Sequence, residues 1–333
     1  MKKIFLILLS MVLLLIGACG KTSQNTSKTG GKKLEKVSIM LDWYPNAVHS
    51  FLFVAQEKGY FKEQGLDVDI KMPADTNDPL RLVAAGKIDM AISYQPEVLV
   101  ARNENIPIQS FAAIVRHPLN QLMVPAASSI QSPKDLVGKT IGYPSIPLDE
   151  AIIHSMVKSD GGDPNKVKMV DIGWDLIPAM SMKKTDALIG GFINHEKLLL
   201  EKEGHPMRAL NPADYDVPDY YELVLVGSEK QIKAKAKVYK KFMEAAAKGQ
   251  KFVADHPVKG LSILLNHEDQ SSPLEKNIET KSLKVLLPLM EAKGKPFGYQ
   301  EGEKWFQVSQ WLKECKVINH NVNPSDAYIN IGE

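Results

Sequence analysis

Cysteine is almost missing: the 333 residues contain two, Cys19 and Cys315. A disulfide framework, a CxxC redox pair, or a thiolate site for zinc or an iron–sulfur centre all need more. A surplus of one charge is missing as well. Forty-one Lys and Arg face 39 Asp and Glu, leaving +2, so the strong basic patch typical of nucleic-acid binding is not expected. Runs such as KQIKAKAKVYKK then read as solvated helix faces. The apolar run from Ile4 to Ile16 is too short to cross a bilayer, which takes about 20 residues. Catalytic signatures fail too. Gly138, Lys139 and Thr140 end like a P-loop, but its first glycine would fall on Pro133, which breaks the phosphate cradle. There is no GxSxG elbow, HExxH pair or GxGxxG fingerprint, and His49, His117, His154, His195 and His205 share no ligand spacing. No catalytic residue, metal ligand or cofactor is therefore expected.

What is present is an ordinary globular composition, 44% hydrophobic and 24% charged, in a chain long enough for two lobes. One phrase recurs along it: a short apolar strand, a polar or aromatic turn, an amphipathic helix. VSIMLDW passes through YPN into a helix over about Ala47 to Lys58, stopped by Gly59. LDVDIKM, IDMAISY, KTIGY, VKMVDI and DALIGGF each lead through a turn into a helix-patterned segment in the same way. Repeated β-turn-α units predict an α/β fold with parallel sheets covered by helices on both faces. Extended stretches at Leu122 to Pro125 and Leu223 to Val226 read as two crossings of a two-strand hinge. That makes residues 35–121 and 227–333 lobe I and residues 122–226 lobe II. Cys315, on a helical face with Trp305, Val308 and Leu312, reads as a buried structural thiol.

In such sheets ligands collect beyond the carboxyl ends of the strands, where the βα turns lie. Backbone geometry accounts for Gly, Asn, Asp, Ser and Pro in turns, but not for Trp43, Tyr94, Tyr143 and Trp174 in four of them. These suggest a pocket wall. Trp43 is the first candidate for stacking on a flat ring, an aromatic platform being rigid; a core tryptophan at a strand end is the plainer alternative. Asn46 suits a helix cap or a ligand contact, or both. His49, one turn on, is either close to the cleft or a satisfied structural histidine. Tyr94, Tyr143, Ser145 and Trp174 complete the set, with packing at a lobe edge as the alternative for the aromatics. Glu196 is the sharpest polar candidate, against a surface glutamate drawn to a helix start. Gly190 and Gly191 would let backbone approach a ring closely. The turns hold no Arg or Lys, but include Asp75, Asp175 and Glu196. An anion against an unpaired carboxylate would cost several kcal/mol, where micromolar binding supplies about 8 in total. A neutral or cationic aromatic is the better ligand class.

Two resemblances sharpen these expectations. MKK, the apolar run and IGAC resemble the signal peptide and lipobox of bacterial lipoproteins. The resemblance implies a signal peptide at 1–18, lipid on Cys19, a flexible tether to residue 34, and an extracytoplasmic face of the cell membrane. Further on, LDWYPNAVHS, VAQEKGYFKEQGLDVDI, LVAAGKIDMAISYQPEVLVAR, SPKDLVGKTIGYP and DALIGGFINHE together resemble ABC-transporter substrate-binding proteins of the NMT1/ThiY-like group. GxIDxAI and DLVGKTIG mark only the superfamily of sulfonate- and nitrate-type binders; DWYPNAVH and GGFINHE point to the pyrimidine group. The resemblance implies a type II periplasmic-binding fold whose lobes close on a thiamin-related aminopyrimidine. It also implies delivery to an ABC permease served by a separate ATPase, with a monomer the usual state. Glu196 would then accept two adjacent donors of the ring. Riboflavin, a sulfonate or another heterocycle are rival ligands for the same fold. Pyrimidine-synthase enzymes share it too, but carry a cysteine-rich iron-binding motif, and the comparable FAAIVRHPLNQLM has no cysteine.

Overall fold

The computed structural model describes residues 33–75 and 78–331. The expected signal peptide, Cys19 and most of the tether lie outside the described residues.

Alternation sets the first strands. In β1 (Glu35–Met40) and β2 (Leu66–Lys71) every second side chain turns inward, and the two pair in parallel from Glu35↔Leu66 to Met40↔Lys71. β3 (Met90–Ser93) and β4 (Ile108–Val115) are buried throughout and read as continuous apolar runs. With β10 (Leu223–Ser228) they form a five-stranded sheet of order β2-β1-β3-β10-β4. The second sheet has order β7-β6-β8-β5-β9. It contains β5 (Leu122–Pro125), β6 (Thr140–Tyr143), β7 (Lys168–Asp171), β8 (Ala187–Leu188) and β9 (Met207–Leu210).

The predicted parallel sheets need one correction each. β10 runs antiparallel to both β3 and β4, and β5 antiparallel to both β8 and β9. Both are strands that enter a sheet straight from the other half of the chain, without the helical crossover that enforces parallel pairing. The two stretches read as hinge crossings thus lie inside sheets, with the connecting chain at residues 116–121 and 211–222.

Helices form where the spacing predicts them. A short 3-10 turn, Ala47–His49, leads into Ser50–Glu57, and Gly59 ends the run with φ of 75°. The helix Ala236–Asp255 lies so close to Ser50–Glu57 that a Cβ on Gly249 would sit 2.2 Å from the Phe51 carbonyl oxygen. Phe51, Phe111, Tyr239 and Phe242 fill the core between these helices and the first sheet. A second core joins the halves. Trp305, Val308 and Leu312 of the helix Gly302–Glu314 are buried, and Trp311 donates its indole N–H to Ser155 of the helix Pro147–Ser159 at 3.0 Å. Cys315, the C-cap of Gly302–Glu314, is half-buried 3.1 Å from the Ser155 hydroxyl, and burial pushes its thiol pKa up.

Candidate ligand-binding cleft

The carboxyl ends of β1 and β3 face the turns after β6 and β8. Between them lies a cleft of about 610 Å³, counted to its open mouth. Trp43, Asn46 and Tyr94 line it from the first-sheet side, and Pro144, Ile146 and Phe192 from the second. It brings together five of the residues singled out from sequence: Trp43, Asn46, Tyr94, Gly190 and Glu196.

Their partners divide the work among them. Asn46 caps the Ala47–His49 turn, its Oδ1 accepting from the Val48 N–H at 3.1 Å, and it also faces the cleft. Tyr94 donates its hydroxyl to Asp42 at 3.3 Å, and its ring meets Phe192 edge-on at 6.4 Å between centroids. Glu196 is only 5% exposed and its carboxylate is already engaged. One oxygen accepts the Phe192 N–H at 2.8 Å; the other lies 3.0 Å from His195 Nδ1. Burial alone would raise the Glu196 pKa, but the His195 charge outweighs it and holds the group below the usual carboxylate range. His195 shows the reciprocal effect: burial would lower its pKa, yet Glu196 and Glu279 push it to about 10. Glu196 therefore closes the Gly190–Glu196 turn on itself as well as facing the cleft.

Other candidates point elsewhere. His49 is fully buried; its Nδ1 accepts the Asn46 N–H at 3.2 Å and its Nε2 faces Asp42 at 2.8 Å. It orients Asp42 rather than lining the cleft. Tyr143 donates to Glu150 at 2.7 Å and Ser145 to Asp171 at 2.7 Å, each away from the cleft. Trp174 is 40% exposed and packs its ring on Trp43, 3.8 Å between centroids, so it backs the platform from outside. Gly190 rather than Gly191 borders the cleft. It has φ of 88°, and a Cβ there would fall 2.2 Å from Pro144 Cδ. Gly191 packs under Glu196 instead.

The cleft's acid is more extensive than the turns alone suggest. Asp42, Asp149, Glu196 and Glu222 all line it, with no Arg or Lys among the described residues of its lining. Asp149, 1% exposed, receives Asn120 Nδ2 on Oδ1 at 2.7 Å, while its Oδ2 is buried with no hydrogen-bond partner. Asn194 Oδ1 is a second buried acceptor left without a donor. Burial pushes Asp149 up to about 7, against the Asn120 hydrogen bond. Burial also pushes Glu222 up to about 8, although it accepts the Leu119 and Asn120 N–H groups at 2.6 and 2.8 Å. Glu97, behind the cleft wall and bonded to Ser93, is raised by burial to about 7. Such a wall offers acceptors and asks for donors.

A family model described as NMT1/THI5 like matches residues 46–260. The chain belongs to the NMT1/THI5-like family. A formylaminopyrimidine-binding protein of Halalkalibacterium halodurans is 42% identical over 332 residues, 99% of each chain. A 4-amino-5-hydroxymethyl-2-methylpyrimidine phosphate synthase of Legionella pneumophila is 25% identical over 299 residues, 89% of this chain and 91% of that one. Among solved structures, the ligand-binding component of an ABC-type import system from Staphylococcus aureus superposes with a TM-score of 0.70 at 14% identity. It covers 89% of this chain and 97% of that one. The fold is the two-lobed α/β type II periplasmic-binding fold.

In this NMT1/THI5-like chain, sequence reasoning passed over Asp42, Asn120, Asp149, His195 and Glu222. Asp149 and Glu222 stand inside patterns that look like an ordinary helix start and a strand entry. Only the packing of both halves turns them toward one space. The buried signal was the acidic residue within IPLDE, at a βα turn like the others.

Proposed function

We propose that this protein is the extracytoplasmic substrate-binding component of an ABC importer. It captures a thiamin-related aminopyrimidine of the formylaminopyrimidine or hydroxymethylpyrimidine type. The observation that carries the reading is the buried, unpartnered Oδ2 of Asp149 in an acid-rich, aromatic-walled cleft without Arg or Lys. An aminopyrimidine presents an exocyclic amine beside ring nitrogens on a flat face. Trp43 supplies the stacking surface, Tyr94 and Phe192 the flanking walls, and Asp149 the amine acceptor. A sulfonate would bring negative charge into a wall of buried acidic side chains with no Arg or Lys to pair it. The wall's one cationic ring, His195, is already held between Glu196 and Glu279.

The family contains both binding proteins and synthases, and we place this chain with the binders. The chemistry-free reading rests on the missing cysteines in FAAIVRHPLNQLM and on the 42% identity to a formylaminopyrimidine-binding protein. No cofactor is required. A diacylglycerol on Cys19 holds the monomer at the membrane, where it hands its ligand to a permease driven by a separate ATPase. The lobes are residues 35–121 with 227–333, and 122–226, bending through the connecting chain at 116–121 and 211–222.

Titration calorimetry with formylaminopyrimidine, riboflavin and an alkanesulfonate tests this. Micromolar or tighter binding of the pyrimidine alone is expected. Binding of the sulfonate with no heat from the pyrimidine sinks the reading, and turnover in the presence of iron and pyridoxal phosphate sinks the assignment as a binder.

A further inference from the structure

A polar seam runs beside the cleft, between a second-sheet helix and a first-sheet one. The helix Glu196–Lys202 packs with the second sheet; the helix Lys276–Met290 packs on the Ala47–His49 turn and β4. Three contacts join them in antiparallel order. Lys202 pairs with Glu275, His195 Nε2 lies 3.3 Å from Glu279 Oε1, and Asn194 Nδ2 donates to Ser282 Oγ at 3.1 Å. Glu279 and Ser282, three residues apart, share one face of their helix, and both are at most 1% exposed.

The middle contact is the strongest part. His195 is 4% exposed and has carboxylates on both ring nitrogens: Glu196 at 3.0 Å on Nδ1 and Glu279 at 3.3 Å on Nε2. The Tyr44 hydroxyl lies 3.4 Å from Nδ1. A buried ring flanked by two carboxylates is held as the imidazolium, both nitrogens donating. Glu279 continues the chain, since its Oε2 accepts the Ala47 N–H at 2.7 Å. Ala47 opens the turn that carries Asn46 and Val48 into the cleft. One imidazolium thus ties the Gly190–Glu196 wall to the Asn46 wall.

We propose that this seam is the clasp that holds the two halves shut over the ligand, with His195 as a positioning residue. The proposal rests on the reading of the cleft as a binding site that closes. Its action is to slow ligand escape: His195 and Asn194 edge the cleft, but their partners Glu279 and Ser282 lie outside its lining, so removing those partners loosens the closure without touching the acceptor at Asp149. The charged and titratable groups facing His195 are Glu196, Glu279 and Tyr44, with Glu275 and Lys202 at the seam's end. Two carboxylates about one ring keep the clasp charged across the neutral range, so it stays fastened until alkaline pH.

The test uses Glu279→Gln, which keeps the side chain's shape and an oxygen for the Ala47 N–H, and Ser282→Ala. In small-angle scattering without ligand, Glu279→Gln is expected to enlarge the radius of gyration. With formylaminopyrimidine its dissociation rate should rise about tenfold while association changes little. Ser282→Ala should act in the same sense, and the double variant should be less than additive. Histidine side-chain nitrogen resonances should show both His195 nitrogens protonated at pH 8. A neutral ring at that pH, or wild-type radius and dissociation rate in Glu279→Gln, overturns the clasp. Failure of the pyrimidine to bind at all would fall on the cleft reading instead, leaving the ligand-free radius to decide the clasp.

Discussion

Asp149 and Trp43 do different work in the cleft, and substitution separates them. Asp149→Asn leaves an oxygen to accept from Asn120 Nδ2 but turns an N–H₂ toward the ligand's own donors where the free Oδ2 stood. Loss of one charge-assisted hydrogen bond is about 1.5–3 kcal/mol, so the dissociation constant should rise ten- to a hundredfold in calorimetry. An unchanged constant would remove Asp149 as the anchor. Trp43→Ala deletes the platform and frees Trp174, which packs against it at 3.8 Å. Affinity should fall by a similar factor, with tryptophan fluorescence no longer responding to ligand. Trp43 and Asn46 were readable from sequence because a tryptophan and an asparagine in a βα turn are unusual together. Asp149 was not readable, because an acidic residue in the first turn of a helix has an ordinary explanation in the helix dipole. His49 misled in the opposite way: its position near the cleft was right, but Asp42 and the Asn46 N–H consume both ring nitrogens.

Among the elements, the crossing of Ser50–Glu57 and Ala236–Asp255 gives the sharpest test. In an isolated helix, alanine for glycine gains about 1 kcal/mol. At Gly249 the new Cβ meets the Phe51 carbonyl oxygen at 2.2 Å and Ala55 Cβ at 3.1 Å, so backbone must move. Overpacking of this kind costs about 1–3 kcal/mol, and the clash is with backbone rather than a pliable side chain. Gly249→Ala should therefore destabilise the protein in chemical denaturation despite its better propensity; a stabilised variant would show that the helices separate freely. The helix Ala236–Asp255 itself was plain from its 3.6-residue apolar spacing. β4 was not predicted as a strand, since IQSFAAIV is buried on all sides and lacks alternation. Its outer edge is covered by late chain segments, through Ala113 N–H to Gly298 O at 2.9 Å and Ile329 N–H to Ser110 O at 2.9 Å.

For the whole molecule, the buried acids make stability depend on pH in a definite sense. Asp149, Glu222 and Glu97 titrate near 7, 8 and 7 in the fold, raised by burial above their unfolded values near 4. The folded state then holds protons that the unfolded chain has lost, so this contribution is complete below about pH 4 and lost as pH climbs to 8. His195, raised to about 10, adds a loss between about pH 6.5 and 10. Glu196, lowered, acts the other way and removes stability as pH falls below its unfolded value near 4.5. The empty protein should melt highest near pH 5 and several degrees lower at pH 8.5, and Asp149→Asn should flatten that fall. A melting temperature that rises from pH 5 to 8.5 would contradict the burial of these acids. Saturating formylaminopyrimidine should narrow the difference, because a donor on Asp149 supplies what the proton otherwise does.

Local pattern alone determined the βα rhythm, the core helices and the aromatic turns. These depend on spacing and composition within a dozen residues, and spacing is visible in a line of text. The tertiary structure alone decided that β5 and β10 run against their neighbours and that Asp42, Asp149 and Glu222 converge. It also decided that His195, rather than the ligand, occupies much of Glu196's carboxylate. The reversed strands and the converging acids join residues from about 65 to 180 positions apart along the chain, and His195, next to Glu196 in sequence, is fixed there by Glu279 of a distant helix. Their meeting is set by how two sheets pack, a property carried by no single segment.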